Sequence, residues 1–200
     1  MGYNFYFWQL SLICVDSLAF VTTNQNKYLE SQVILQQYDI GVKFYEVVLT
    51  EIQSDSIEVI AIEKAKSAFA EVSKPVIVED DGLFIDQLNC FPGQYSSYVY
   101  KTIGNDGILK LMLNSKRRSA VFKSFFTFYD GKKNPKSFIG EIQGRISHRI
   151  TEGGWGYDPI FIPTGSHLTF GELEIRNRKI YISHRAKALK QFAKWYRHNY

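Results

Sequence analysis

The order in which hydrophobic periodicity changes along the chain is its strongest constraint. Residues 18–22 (LAFVT) are a short apolar run bounded by polar residues, the mark of a buried strand. The polar stretch TTNQNK follows, then a helix over Tyr28–Tyr38, then a second strand over 42–49 (VKFYEVVL). Ile57, Ile60, Ala61, Lys64, Ala65, Ala68, Phe69 and Val72 then recur at i, i+3, i+4, i+7 spacing, which predicts an amphipathic helix. Asp55 and Glu58 resemble a capping box at its start. Val76–Val78 and Leu83–Leu88 read as two further strands, and a helix is expected near Asp106–Leu113. Residues 119–129 and 137–146 are strands joined by the turn-forming DGKKNP, which makes them a hairpin. A last short strand is expected at Ile160–Ile162. From Ser183 a helix turns Ala186, Leu189, Phe192, Ala193 and Tyr196 inward. Early alternation with a later hairpin excludes a purely parallel, doubly wound sheet. It predicts a mixed α/β fold, a sheet flanked by helices.

Size and composition narrow the class. The 200 residues, 45% of them hydrophobic, suffice for one well-packed core. No linker, repeat or low-complexity tract divides them, so residues 18–200 read as one domain after an N-terminal extension, 1–17. The extension is aromatic and apolar. It lacks a positive n-region, and Asp16 and polar residues interrupt it, so neither a signal peptide nor a membrane span is expected. Cys14 and Cys90 form no disulfide framework or C-x-x-C pair, and the cytoplasm is the expected compartment. A net charge of +4 suits an anionic ligand without implying nucleic acid.

Four segments carry residue types with chemistry to perform. In TTNQNK (Thr22, Thr23, Asn24, Gln25, Asn26, Lys27), a strand-to-helix junction adds hydroxyls, an amide and a cation to a helix N-terminus, a natural phosphate site. The glycines and GK[ST] of a Walker loop are missing, and taken alone an ordinary Asn/Thr cap is the simpler account. Glu79-Asp80-Asp81-Gly82 ends a strand. Its adjacent carboxylates repel one another unless a cation offsets them, and strand alternation puts Glu79 and Asp81 on one face with Asp80 on the other. Hard oxygen ligands suit Mg²⁺, with Glu51 as a second carboxylate; a solvated acidic turn is the competing account. Trp155, Gly156, Tyr157 and Asp158 lie in a Gly-rich loop where an aromatic could stack on a base, worth about 1–3 kcal/mol. A turn with a core tryptophan would look the same. Ser183-His184-Arg185 opens the last helix, and its cations oppose the helix dipole, which points to an anion or electron-rich group there. Lys64 falls on or beside a buried face, an unusual place for an ammonium without a partner or ligand.

In this order the segments resemble the inosine triphosphate pyrophosphatase family, also called XTP/dITP diphosphatases, over roughly residues 18–195. TTNQNK looks like the family's T-x-N-x-x-K loop, VEDDGLFIDQL its E-D-S-G-L segment and FPGQYSSY its P-G-x-Y-S. WGYDPIFIP looks like F-G-Y-D-P-x-F, and SHRAKAL its closing S-H-R. FPGQYSSYVYKTIG is most similar to archaeal members. The resemblance implies an elongated twisted sheet in two lobes around a central cleft. It implies Mg²⁺-dependent hydrolysis of ITP, dITP and XTP to monophosphate and pyrophosphate. Thr22, Asn24, Lys27 and Lys64 would hold the triphosphate, and Glu51 and Asp80 the metal, with Asp80 as general base. Lys179 would contact substrate, and Asp158, His184 and Arg185 would surround the base. A homodimer that spans no membrane is implied. Alternatives are a related-fold pyrophosphatase for pyrimidine or modified nucleotides, or a nucleotide or RNA binder that has lost catalysis. Asp81 in place of Ser or Thr, Trp155 in place of Phe, and the extension depart from the family pattern.

Overall fold

The computed structural model describes residues 18–200, so the N-terminal extension lies outside the described residues. The strands are β1 (Leu18–Val21), β2 (Val42–Tyr45), β3 (Val76–Ile85), β4 (Pro92–Gly93), β5 (Ser119–Tyr129), β6 (Lys136–Ile146) and β7 (Phe161–Pro163). The helices are α1 (Gln25–Gln36), α2 (Ile57–Val72), α3 (Ser96–Thr102), α4 (Gly104–Leu111), α5 (Phe170–Ile175), α6 (Lys179–Ile182) and α7 (His184–Asn199). They build one seven-stranded sheet in the order β2-β1-β3-β5-β6-β7, with β4 paired to β3. The β1 pairings with β2 and β3 are parallel, and the others are antiparallel. The mixed fold expected from the sequence is the fold observed.

Strand parity sorts the core into layers. Leu18, Phe20, Ile77, Phe126 and Phe128 pack with α1 and α7, whose Leu35, Leu189 and Phe192 are fully buried. Ala19, Val21, Val76 and Val78 point the other way, against Ala65 and Ala68 of α2. With both faces covered, these strands read as continuous apolar runs rather than alternating ones. A separate cluster at the far end of the sheet joins Leu83, Ile85, Ile108, Phe122, Phe161 and Phe170.

Several boundaries differ from the sequence expectation, each for a local reason. The second strand stops at Tyr45 because β1, its partner, stops at Val21. Beyond it Val47 and Leu49 still pack inward while Val48 is exposed. Helix α2 is capped by Ser56, whose hydroxyl accepts from Val59 N–H, and not by Asp55. The two strands expected at 76–78 and 83–88 are one, β3. Gly82 does not break it; the glycine admits a close backbone neighbour, since a Cβ there would lie 2.4 Å from the Gly93 carbonyl oxygen.

The long β3 creates the site. Its start pairs with β1 at Val76 and Ile77, and its end pairs with β4 at Leu83 and Phe84. Between them, on that edge, Glu79–Gly82 face no strand, and the sheet opens there. The opening lies beyond the carboxyl ends of the parallel strands β1 and β2, where open α/β sheets place their ligands. Gly140 on β6 fixes the opposite wall: a Cβ there would lie within 2 Å of the His184 carbonyl oxygen, so only glycine lets α7 settle on the sheet.

Candidate active site

The opening is a cleft of about 540 Å³, within the usual range for small-molecule sites. Thr22, Thr23, Asn24, Asn26, Lys27, Glu51, Lys64, Asp80, Asp81, Trp155, Gly156, Tyr157, Asp158, His184 and Arg185 all line it. Two expected residues do not. Gln25 is the first, exposed residue of α1. Lys179 lies behind the wall, 1% exposed, with its ammonium 2.6 Å from both Glu30 and Asp158. Lys179 thus supports the wall through Glu30 and Asp158 and does not itself line the cleft.

β3 divides the chemistry by parity. Asp80 points toward α2, where Lys64 lies 3.3 Å from Asp80 Oδ2 and also binds Glu51. The ammonium that helix periodicity set beside the buried face therefore has two carboxylate partners. Glu51 is half-exposed, whereas Asp80 Oδ2 is buried and makes no hydrogen bond. Burial raises the Asp80 pKa, and Lys64 and Lys27 offset this only in part.

On the other face, Glu79 and Asp81 meet α1 and α7. Arg185 binds Glu79 through Nε (3.0 Å), Asp81 through Nη2 (3.0 Å) and Glu30 through Nη1 (2.6 Å). Ser124 donates to the other Glu79 oxygen at 2.8 Å. Lys27 reaches Asp81 Oδ1 at 2.7 Å. Burial would lower the Arg185 and Lys27 pKa values, but the surrounding carboxylates outweigh it and raise both. Arg185, which opposes the α7 dipole, is thus matched by the protein's own carboxylates. Burial would likewise raise Asp81, yet Lys27, His184 and Arg185 hold it well below the usual carboxylate range.

Sequence reasoning missed Glu30 as a site residue. Its Oε1 accepts from Trp155 Nε1 and Lys179 Nζ, each at 2.6 Å, and its Oε2 from Arg185. Burial pushes its pKa up, but Arg185 and Lys179 prevail and bring it to about 2. This carboxylate fixes the indole edge-on, with Arg185 and Lys179 each about 5 Å from the ring centre. Trp155 is half-buried at the cleft wall, not in the interior. Asp158 accepts from Trp155 N–H at 3.1 Å as well as from Lys179, and burial raises its pKa despite that lysine. Tyr157 donates to the Ser96 carbonyl at 3.0 Å, tying the Gly-rich loop to α3. Ser96, Ser97, Gln94, Tyr100 and Lys101, also unforeseen, complete the wall. His184 stacks on Phe122 at 4.5 Å and is 3% exposed; its Nε2 lies 3.7 Å from Asp81 Oδ2, too far for a hydrogen bond, and Nδ1 makes none.

Two sets of residues have metal-ligand chemistry. Glu51 and Asp80 converge on one ammonium and, with an Asp80 oxygen buried at the wall, are a hard-oxygen donor pair that fits Mg²⁺. Glu79, Asp81 and His184 place ligand-type atoms within 4.8 Å, but Arg185 and Lys27 already neutralise that group.

The profile of the Ham1 family matches residues 18–195. The chain belongs to the Ham1 family. A dITP/XTP pyrophosphatase of Methanopyrus kandleri is 49% identical over 183 residues, covering 91% of this chain and 97% of that protein. The dITP/XTP pyrophosphatase of Thermococcus kodakarensis is 43% identical over 185 residues, covering 91% and 98%. Among solved structures, a HAM1 protein of Coxiella burnetii aligns with a TM-score of 0.78 at 28% identity, covering 90% of this chain and 99% of that one. The resemblance drawn from the ordered motifs is borne out, and the Ham1 fold accounts for the mixed sheet.

Proposed function

We propose that the chain hydrolyses non-canonical purine nucleoside triphosphates (ITP, dITP and XTP) to monophosphate and pyrophosphate with Mg²⁺, clearing deaminated purines from the nucleotide pool. One observation carries this reading. A single cleft joins a lysine-bridged carboxylate pair, Glu51 and Asp80, to an indole wall formed by Trp155 with His184 and Asp158. The relatives named dITP/XTP pyrophosphatase support it. Among the described residues no helix is long and apolar enough to cross a membrane.

The reaction is attack of water on the α-phosphorus. A new P–O bond forms, the bond to the bridging oxygen breaks, and pyrophosphate leaves. Asp80, its buried oxygen free of hydrogen bonds, accepts the proton of that water. Lys27 and Lys64 meet the phosphates and stabilise the leaving group. Glu51 and Asp80 would hold Mg²⁺, which when bound offsets phosphate charge and acidifies water. At the other end Trp155 stacks on the base. His184 is the available donor toward a 6-keto oxygen, since Arg185 directs three nitrogens to Glu79, Asp81 and Glu30. A 6-amino group there would leave that donor unpaired, a mismatch worth up to about 10⁴-fold.

The test is pyrophosphate release from ITP, XTP, dITP, GTP, ATP and UTP, with and without Mg²⁺. Fast release from ITP, dITP and XTP, slow release from ATP and none without the cation are expected. Equal rates on UTP would move the chain to the pyrimidine class. ITP bound without turnover would make it a binder only. For the stacking wall, Trp155→Ala is expected to raise KM for all purines alike, by about tenfold. A fall in kcat alone would remove the indole from base binding.

A further inference from the structure

Asp81 stands where it can oppose the ligand. Its Oδ1 is 2.7 Å from Lys27 Nζ and its Oδ2 is 3.0 Å from Arg185 Nη2, so it bridges the two cations. The other lysine assigned to the phosphates, Lys64, is already paired with Glu51 and Asp80. The side chain of Asn24 accepts from the backbone N–H groups of Asn26 and Lys27, which closes off part of the α1 N-terminus. The Lys27 ammonium is likewise occupied, by the carboxylate of Asp81. Across the cleft lining, five carboxylates face four cations. A free polyphosphate would enter a site with no surplus positive charge.

We propose that Asp81 is an internal anion. It takes the place of a phosphate on Lys27, so that a polyphosphate binds only by displacing it, and metal-free polyphosphate is held weakly. The proposal rests on the reading of Lys27 as a phosphate-binding residue. The neutral side chain of Asn or Ser at this position would leave the ammonium free for the ligand. The longer Glu would keep the competing charge.

The experiment is calorimetric titration of the full chain with inorganic pyrophosphate, in chelator and without divalent cations. Asp81→Asn is expected to bind at least about tenfold tighter than the wild type, since it frees a charge-assisted contact. Asp81→Glu is expected to bind as weakly as the wild type. In a Lys27→Gln background the gain from Asp81→Asn should vanish, because the two residues act as a coupled pair. Thermal melts check folding, and Asp81→Ser replaces Asp81→Asn if the latter is unfolded. Unchanged affinity in the neutral variant, or a gain that survives without Lys27, would overturn the proposal. Wild-type turnover of ITP is measured separately. If it is present while the affinities do not move, only the Asp81 inference fails. If it is absent, the functional reading fails.

Discussion

Asp80→Asn is expected to lower kcat on ITP by about 10²–10⁴-fold while much of the ITP affinity is retained. The size is that of a positioned general base. The position is specific: β3 parity turns Asp80 alone of the three acids toward α2, its Oδ2 is buried without a hydrogen bond, and Lys64 lies 3.3 Å away. Asn preserves the shape and removes the proton acceptor. Lys27 and Trp155 do not depend on Asp80 for their placement, since Asp81 and Glu30 hold them. Steady-state kinetics together with equilibrium binding of ITP separate the two quantities. Turnover like that of the wild type would take Asp80 out of the mechanism.

The second large effect is on stability. Arg185→Met is expected to destabilise the fold by about 3–5 kcal/mol, the usual consequence of removing one member of a buried charge cluster. At this chain length that lowers Tm by roughly 10 °C. Arg185 is 1% exposed, and its loss takes from Glu79 its nearest cation and from Glu30 and Asp81 one of their two. The Lys66–Glu63 pair is the control. Both side chains are nearly half exposed, so Lys66→Ala is expected to change stability by less than about 1 kcal/mol. Calorimetric melts measure both. A Tm for Arg185→Met within about two degrees of the wild type would mean that the carboxylates are held by something other than this guanidinium.

Much of the site was legible because strand and helix periods are rigid rules. Alternation along Glu79-Asp80-Asp81 put Asp80 on one face and Glu79 and Asp81 on the other, as observed; that Asp80's face is the α2 face comes from the fold. The apolar spacing of α2 placed Lys64 at a buried margin, and its two carboxylate partners explain why it is tolerated there. The rest depends on contacts between residues distant in sequence. Glu30 sits in QNKYLESQVILQ, which lacks a clean apolar stripe, so an acid there looks solvated. Its partners Trp155, Lys179 and Arg185 lie 125, 149 and 155 residues further on. The same distance hid Lys179: only the fold shows that Glu30 and Asp158 enclose it. Gly82 misled for a different reason. Glycine in a strand can mark a break or a close approach, and only the position of Gly93 decides between them.

The most direct test of the central claim, that the cleft sets the α-phosphorus of a purine triphosphate before Asp80, is isotopic. ITP is hydrolysed in H₂¹⁸O and the products are weighed by mass spectrometry. One ¹⁸O in the inosine monophosphate and none in the pyrophosphate is the predicted outcome. Label in the pyrophosphate would place the attack on the β-phosphorus and contradict the account.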